Sequence, residues 1–354
     1  MIVTVIGARP QFVKAAVVSR ALERVGLKES VVHTGQHYDA GMSDIFWSEL
    51  GIPPWDTNLM VGSGRHGVQT ARILEGIEAY LESSENVEAV IVYGDTNSTL
   101  GAALAASKMH IPVIHIEAGL RSFNRRMPEE INRVMTDHLS DLLFCSSEKG
   151  VLWLKEEGIV TGVQNVGDVM ADAHRFYSSQ SHAALEAADL NLDTEQPFVV
   201  ATIHRPSNTD DDSALAEVVE GLADDGRVVL WPLHPRLRTK MEGRKLPESI
   251  VLTRPLSYFE MLDALRLCEL VYTDSGGLQK EAYWSRKPCI TMRMETEWVE
   301  TIEAGWNALA GPSAKQMKAA RQSLTQRPTW HPLYGDGYAA DKIANTIASF
   351  LDNR

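Results

Sequence analysis

The chain has 354 residues, too many for one ordinary domain, and a globular composition of 44% hydrophobic and 23% charged residues. A formal net charge of -13 excludes nucleic acid or an anionic membrane as the expected partner, although a few arginines in a cleft can still hold a small anion. Three unpatterned cysteines, Cys145, Cys268 and Cys289, make a poor disulfide framework, and neither a signal sequence nor an apolar run of about 18 residues occurs, so a cytoplasmic protein is expected.

Short β-branched runs at residues 1–6, 30–33, 87–93, 111–116 and 141–145 alternate with amphipathic stretches such as 12–24 and 69–81. Continuous apolar strands separated by helices predict a parallel sheet covered on both faces. A polar stretch over 177–196 follows, and the pattern then restarts with runs at 198–203, 227–232, 249–252, 270–273 and 288–292. The expected fold is α/β, two doubly wound Rossmann-like domains facing each other, with the active site in the cleft at the carboxyl edges of both sheets. The expected division is 1–167, 168–337 and a last helix over 338–354.

The strand ends carry the chemistry. Residues 1–6 run into Gly7-Ala8-Arg9-Pro10, a turn that places Arg9 at a helix N-terminus with Lys14 one turn on, a candidate anion site. The next pair of strand ends offers Asp95, in a GDTNST run that could also simply cap a helix, and Glu117. Two carboxylates at one sheet edge suit proton abstraction and return, because their repulsion separates their pKa values. Glu129 opens the helix after Pro128, either as a third carboxylate or as an acid favoured by the helix dipole, and Arg133 four residues on is expected to pair with it. In the second half, His204 and Arg205 end one strand and His234 and Arg236 another. Ser275-Gly276-Gly277 before a helix exposes backbone N–H groups to an anion, and Glu281 follows within two turns, placed to accept ribose hydroxyls.

Three patterns point elsewhere. Gly62-Ser63-Gly64-Arg65-His66-Gly67 matches a dinucleotide fingerprint, but the preceding apolar run is short and the later acid is misplaced. Tyr283 and Lys287 imitate a dehydrogenase pair without the rest of that site. His33 and His37 lack a third ligand, so no metal is expected.

The motifs GARPQFVK, VYGDTNST, HIEAGLRSFNRRMPEEINR, TDSGGLQKE and YGDGYAADKI, with His204-Arg205 between them, span the chain in order. Together they resemble the non-hydrolysing UDP-N-acetylglucosamine 2-epimerases. The resemblance implies the glycosyltransferase-B-like arrangement of two domains, with the final helix crossing back to the first, and a homodimer is expected. It also implies a route without cofactor or metal: UDP leaves C1 as C2 loses its proton, and 2-acetamidoglucal then takes both back with C2 inverted, interconverting UDP-GlcNAc and UDP-ManNAc. Asp95, Glu117, Glu129 and His204 then stand at the catalytic positions. Arg9, Lys14, Arg133, Arg205, His234, Ser275, Gly276, Gly277 and Glu281 stand at those that hold the UDP-sugar. Which carboxylate serves which sugar face stays open. The segment with Arg125 and Arg126 looks more like the branch acting on UDP-2,3-diacetamido-2,3-dideoxyglucuronate, and Gln36-His37-Tyr38-Asp39 departs from relatives with a regulatory substrate site. A glycosyltransferase of the same fold is the main rival.

Overall fold

The computed structural model describes residues 1–36, 50, 55–190, 192–326 and 328–354, without the side chains of Arg9, Pro235 and Arg236; His37, Tyr38 and Asp39 lie outside the described residues. The chain divides into two compact units. The first is Met1–Ala173 together with Tyr334–Arg354, and the second is His174–Leu333. The first division thus falls inside the helix Val169–Ser178 rather than at residue 167, and the chain rejoins the first unit at Tyr334 rather than at 338. A backbone bond accounts for this: Asp168 N–H donates to Tyr334 O at 2.8 Å, and Gly167 and Gly335 pack backbone to backbone beside it.

The first unit holds seven strands: β1 (Ile2–Ile6), β2 (Glu29–His33), β3 (Thr57–Asn58), β4 (Ala89–Tyr93), β5 (Val113–Ala118), β6 (Leu142–Cys145) and β7 (Val163–Asn165). Their order across the sheet is β3-β2-β1-β4-β5-β6-β7, all parallel. Strands β1 and β4 are buried at every position, as a sheet covered on both faces requires. The order reverses between β1 and β4, which opens a crevice at their carboxyl ends. The final helix, Ala339–Asp352, belongs to this unit: Asp172 accepts from the N–H groups of Ala339 and Ala340 at 3.1 and 2.7 Å.

The second unit repeats the plan with β8 (Phe198–Thr202), β9 (Val228–Pro232), β10 (Ile250–Thr253), β11 (Val271–Thr273), β12 (Cys289–Thr291) and β13 (Asn307–Leu309), in the order β10-β9-β8-β11-β12-β13. Its reversal lies between β8 and β11. Sequence reading left out β3, β7 and β13. Each is an edge strand of two or three residues, too short for a hydrophobic period.

Two glycine sites illustrate how local chemistry sets the crevice. A Cβ on Gly7 would meet Ser98 Oγ at 2.1 Å and Thr34 Oγ1 at 2.4 Å, so only glycine lets β1 end against the helix Asn97–Lys108. Gly7→Ala is expected to cost about 1–3 kcal/mol by overpacking, read from a denaturant midpoint. An unchanged midpoint would show that the contact relaxes without strain. By contrast, Cβ atoms on Gly64 or Gly67 would meet nothing within 4 Å. The Gly62–Gly67 segment also follows the edge strand β3 rather than a strand at the reversal. The dinucleotide fingerprint is therefore coincidental in this fold.

Candidate active site

In the first unit, Gln11 ties the two strands that flank the crevice. Its Oε1 accepts from the N–H groups of Gly7 and Ala8 at 2.7 and 3.0 Å, and its Nε2 donates to Tyr93 O at 2.7 Å. Arg9 begins the helix Arg9–Arg24 there, and its side chain lies outside the description. Asp95 follows β4, partly exposed, with its carboxylate on Arg133 Nη2.

Glu117 sits in β5 at a bulge, where the register with β6 shifts between Ile116 and Ala118. Its φ is 71°, the left-handed region that a residue with a β-carbon adopts only at a cost. That turn aims the carboxylate back toward β4, close enough that a Cβ on Gly94 would lie 3.3 Å from Glu117 Oε2. The same oxygen pairs with Lys14 Nζ. Burial pulls the Lys14 ammonium down, but Glu117, then Asp168 and Asp95, outweigh it and raise its pKa. Lys14 therefore engages the carboxylates of this unit rather than standing open to an anion. Asp95, Glu117 and Asp168 share it as a common counter-charge. Sequence reading placed position 168 only as the start of the second division.

The helix Pro128–Leu139 organises both strand ends, and it is inverted. Glu130, Asn132, Thr136 and Asp137 are buried, whereas Ile131 and Met135 are exposed. Arg133 pairs with Asp95 and, at 2.9 Å, with Glu130 Oε2, not with Glu129. Glu130 is fixed there because it accepts from the N–H groups of Ser122 and Phe123 at 2.8 and 2.9 Å. Burial acts against its charge, yet these bonds and Arg133 keep its carboxyl below the ordinary value. Glu129 points to solvent on the neighbouring face. Asn132 Nδ2 donates to Asp95 O at 2.9 Å, and Asp137 accepts from His115 Nδ1 at 2.7 Å and Arg121 Nη1 at 2.6 Å.

In the second unit, Asp274 holds the end of β8. It is wholly buried, and its Oδ2 accepts from His204 N, Arg205 N and Asn208 Nδ2 at 2.9, 2.8 and 2.9 Å. Its other oxygen lies 3.2 Å from His204 Nδ1, without the alignment of a hydrogen bond. The His204 and His234 rings stack, with centroids 5.5 Å apart and planes 21° apart. Across the reversal, Ser275 caps the helix Gly276–Trp284. Gly277 is exposed in the first turn of this helix, where an N–H has no intrahelical acceptor and can meet an anion. Gly276 lies against Glu297, a Cβ there falling 2.3 Å from Glu297 Oε1, and Glu297 pairs with Arg293 at 2.9 Å. Glu297 is a carboxylate at the cradle that sequence reading missed. Glu281 lies deeper in the helix, where burial pushes its carboxyl up to about 7, partly offset by Lys280.

All three cysteines are buried, and burial pushes each thiol up to about 12. They are inert core side chains.

Residues 20–348 match the family model described as UDP-N-acetylglucosamine 2-epimerase. A UDP-2,3-diacetamido-2,3-dideoxy-D-glucuronate 2-epimerase of Pseudomonas aeruginosa is 47% identical over 98% of this chain and 99% of its own. A UDP-N-acetylglucosamine 2-epimerase homolog of Methanococcus maripaludis is 42% identical over 98% and 99%. The structure of the Methanocaldococcus jannaschii UDP-GlcNAc 2-epimerase in complex with UDP-GlcNAc and UDP superposes with a TM-score of 0.85, at 36% identity over 99% of this chain and 100% of that one. With strand ends bearing paired carboxylates in one unit and an open helix N-terminus in the other, this chain belongs to the UDP-N-acetylglucosamine 2-epimerase family of isomerases.

Proposed function

We propose that the protein inverts C2 of UDP-N-acetylglucosamine, giving UDP-N-acetylmannosamine, by eliminating and re-adding UDP. The observation that supports this most is the pair Asp95 and Glu117 at neighbouring strand ends, Asp95 paired with Arg133 and Glu117 with Lys14. The C2–H of a hexosamine is not acidic by itself. As the C1–O bond breaks and its electrons leave with UDP, positive charge at C1 acidifies C2–H, and a carboxylate takes the proton. A proton returned to the opposite face of C2 and UDP oxygen re-bonded to C1 complete a redox-neutral inversion. In the second unit the leaving diphosphate is met by the Gly276 and Gly277 N–H groups, with His204, Arg205 and His234 at the strand ends of the same unit, while the Ser275 N–H is taken by Thr273 Oγ1 at 3.0 Å. Asp95, Glu117 and Glu129 divide the proton transfers.

A second reading keeps the reaction and changes the sugar to a 2,3-diacetamido uronate. It is favoured by Arg125 and Arg126, both exposed on the loop that Glu130 anchors, where a sugar carboxylate could be met. Proton NMR in D2O tests both in parallel tubes, without acceptor. Deuterium at C2 with a new epimer signal identifies the substrate; no exchange in either tube sinks the epimerase reading.

Glu281, as the ribose acceptor, would have to be ionised. Its folded pKa of about 7 is raised, so its contribution to the stability of the free protein is present at low pH and lost as pH rises through 7. Ribose hydroxyls bind the ionised form, so UDP affinity is expected to run the other way. It should rise about tenfold between pH 6 and 8 by calorimetry, with Glu281→Gln flattening the profile. A flat wild-type profile would move the ribose to Glu297.

Two copies are proposed to pair through the apolar ridge of Met127, Ile131 and Met135, exposed on the inverted helix. Met135→Lys is expected to yield a monomer by light scattering; an unchanged mass would place any interface elsewhere. No helix among the described residues is long and apolar enough to cross a membrane. The reduced, buried thiols suit the cytoplasm, the proposed location.

A further inference from the structure

We infer that His115 is a positioning residue: a buried imidazolium, held between Asp137 and the carbonyl of Gly94, that sets the places of Asp95 and Glu117. The inference rests on the proposed acid–base role of those two carboxylates. The His115 and Asp137 side chains are both 0% exposed. Nδ1 lies 2.7 Å from Asp137 Oδ1, and Nε2 lies 2.7 Å from Gly94 O.

A carbonyl oxygen can only accept. Asp137 also accepts from Arg121 Nη1 at 2.6 Å and from Gly119 N at 3.2 Å. Burial opposes its charge, but His115 and then Arg121 hold its carboxyl below the ordinary value, so it too is an acceptor. Both ring nitrogens therefore face acceptors, and both must carry hydrogen. A neutral ring would set a lone pair against one of them inside the protein. The charges also close: Asp137 and Glu157 balance His115 and Arg121, with Arg121 bidentate on Glu157 at 2.7 Å for each bond.

What the imidazolium holds is the peptide between Gly94 and Asp95. That unit is planar, so fixing its oxygen fixes the Asp95 N and Cα. Gly94 N–H is already bonded to Ile116 O at 3.0 Å, so β5 grips Gly94 from both sides. At the other end Asp137 takes the N–H of Gly119, whose Cβ position would fall 2.6 Å from Gly150 O and so leaves no room to shift. Glu117, with its left-handed backbone, lies between these two anchors. Asp137 thus reaches both candidate acid–base groups without touching either, Asp95 through the ring and the Gly94 carbonyl, Glu117 through the ring's own strand and the Gly119 N–H.

Two variants separate the ring's two ends. Asn places its amide near Nδ1, keeping the Asp137 bond and freeing the Gly94 carbonyl. Gln places it near Nε2, keeping Gly94 and losing Asp137. His115→Asn is expected to lower kcat by about 10- to 100-fold with KM within about threefold, and His115→Gln to retain kcat within about threefold although its Tm falls. Equal losses in both variants, or kcat following Tm, would overturn the positioning role. Nitrogen NMR of ring-labelled wild-type protein at pH 7, with His115 assigned by its loss in either variant, is expected to show both ring nitrogens protonated. A neutral tautomer would overturn the inference without any assay. If wild-type protein exchanged C2–H of neither UDP-sugar while the ring was doubly protonated, the proposed reaction would fall and the imidazolium would stand.

Discussion

Replacing Glu117 with glutamine is expected to lower turnover by about 10²- to 10⁴-fold while leaving KM nearly unchanged. The substitution is isosteric, so the bulge, the left-handed backbone and the oxygen facing Lys14 can all persist. What is lost is a charge and a proton acceptor. Lys14 stays buried with Asp168 and Asp95 still nearby, so only a modest fall in Tm is expected. Single-turnover C2 deuterium exchange isolates the chemical step. Asp95→Asn removes one of the two carboxylates on Arg133, which keeps Glu130, and should fall on the same scale. Glu129→Gln is the sharper comparison, because Glu129 is exposed where the other two are held on cations. A near-wild-type rate for all three variants would sink the acid–base assignment.

The legible part of this molecule was its strands and their ends. Runs such as Ile2–Ile6 and Ala89–Tyr93 are buried on both faces, so they show as unbroken β-branched stretches in sequence, and the polar residue that ends each one falls at the carboxyl edge. Asp95, Glu117, His204 and Ser275 could be picked for that reason. What escaped was everything that works through a second residue. Glu129 and Glu130 are adjacent acids after a helix-opening proline, and no sequence rule tells which one Arg133 meets; the amides of Ser122 and Phe123 decide it by claiming Glu130. Asp274 precedes the Ser-Gly-Gly turn and was read with it, although it serves β8 from across the reversal, over 60 residues away in sequence. The helix Pro128–Leu139 was legible as a helix, but its hydrophobic period points to the wrong face, because its polar face is the buried one. Periodicity finds a helix whose partner is an apolar core. It mis-assigns the face of one whose buried side chains are polar and hydrogen-bonded, as Asn132 is to Asn97 Oδ1 and Asp95 O.

Removing the Asp274 carboxylate is expected to produce the largest combined loss of stability and ligand affinity in the second unit. Asp274→Ala leaves the N–H groups of His204 and Arg205 and the Asn208 amide without the acceptor they share. Each buried donor left unpaired costs about 1–3 kcal/mol, and relaxation around the gap makes their sum fall short of additive, so about 3 kcal/mol overall is expected from denaturant unfolding. Asn208 keeps its bond to Met292 O at 2.9 Å, which limits how far the loop can move. The same loss frees the end of β8, so UDP should bind at least about tenfold more weakly as His204 and Arg205 lose their placement. Asp274→Asn separates the two effects. Its oxygen can take the place of Oδ2 and keep the three donors, while its amide presents N–H to His204 Nδ1, which then has to accept. A ring that accepts at Nδ1 carries its hydrogen on Nε2, the nitrogen turned away from Asp274. A fold of near-normal stability with altered kcat would therefore show that the carboxylate orients His204 for the reaction. Loss of stability with kcat preserved among the folded molecules would reduce Asp274 to a clasp on the strand end.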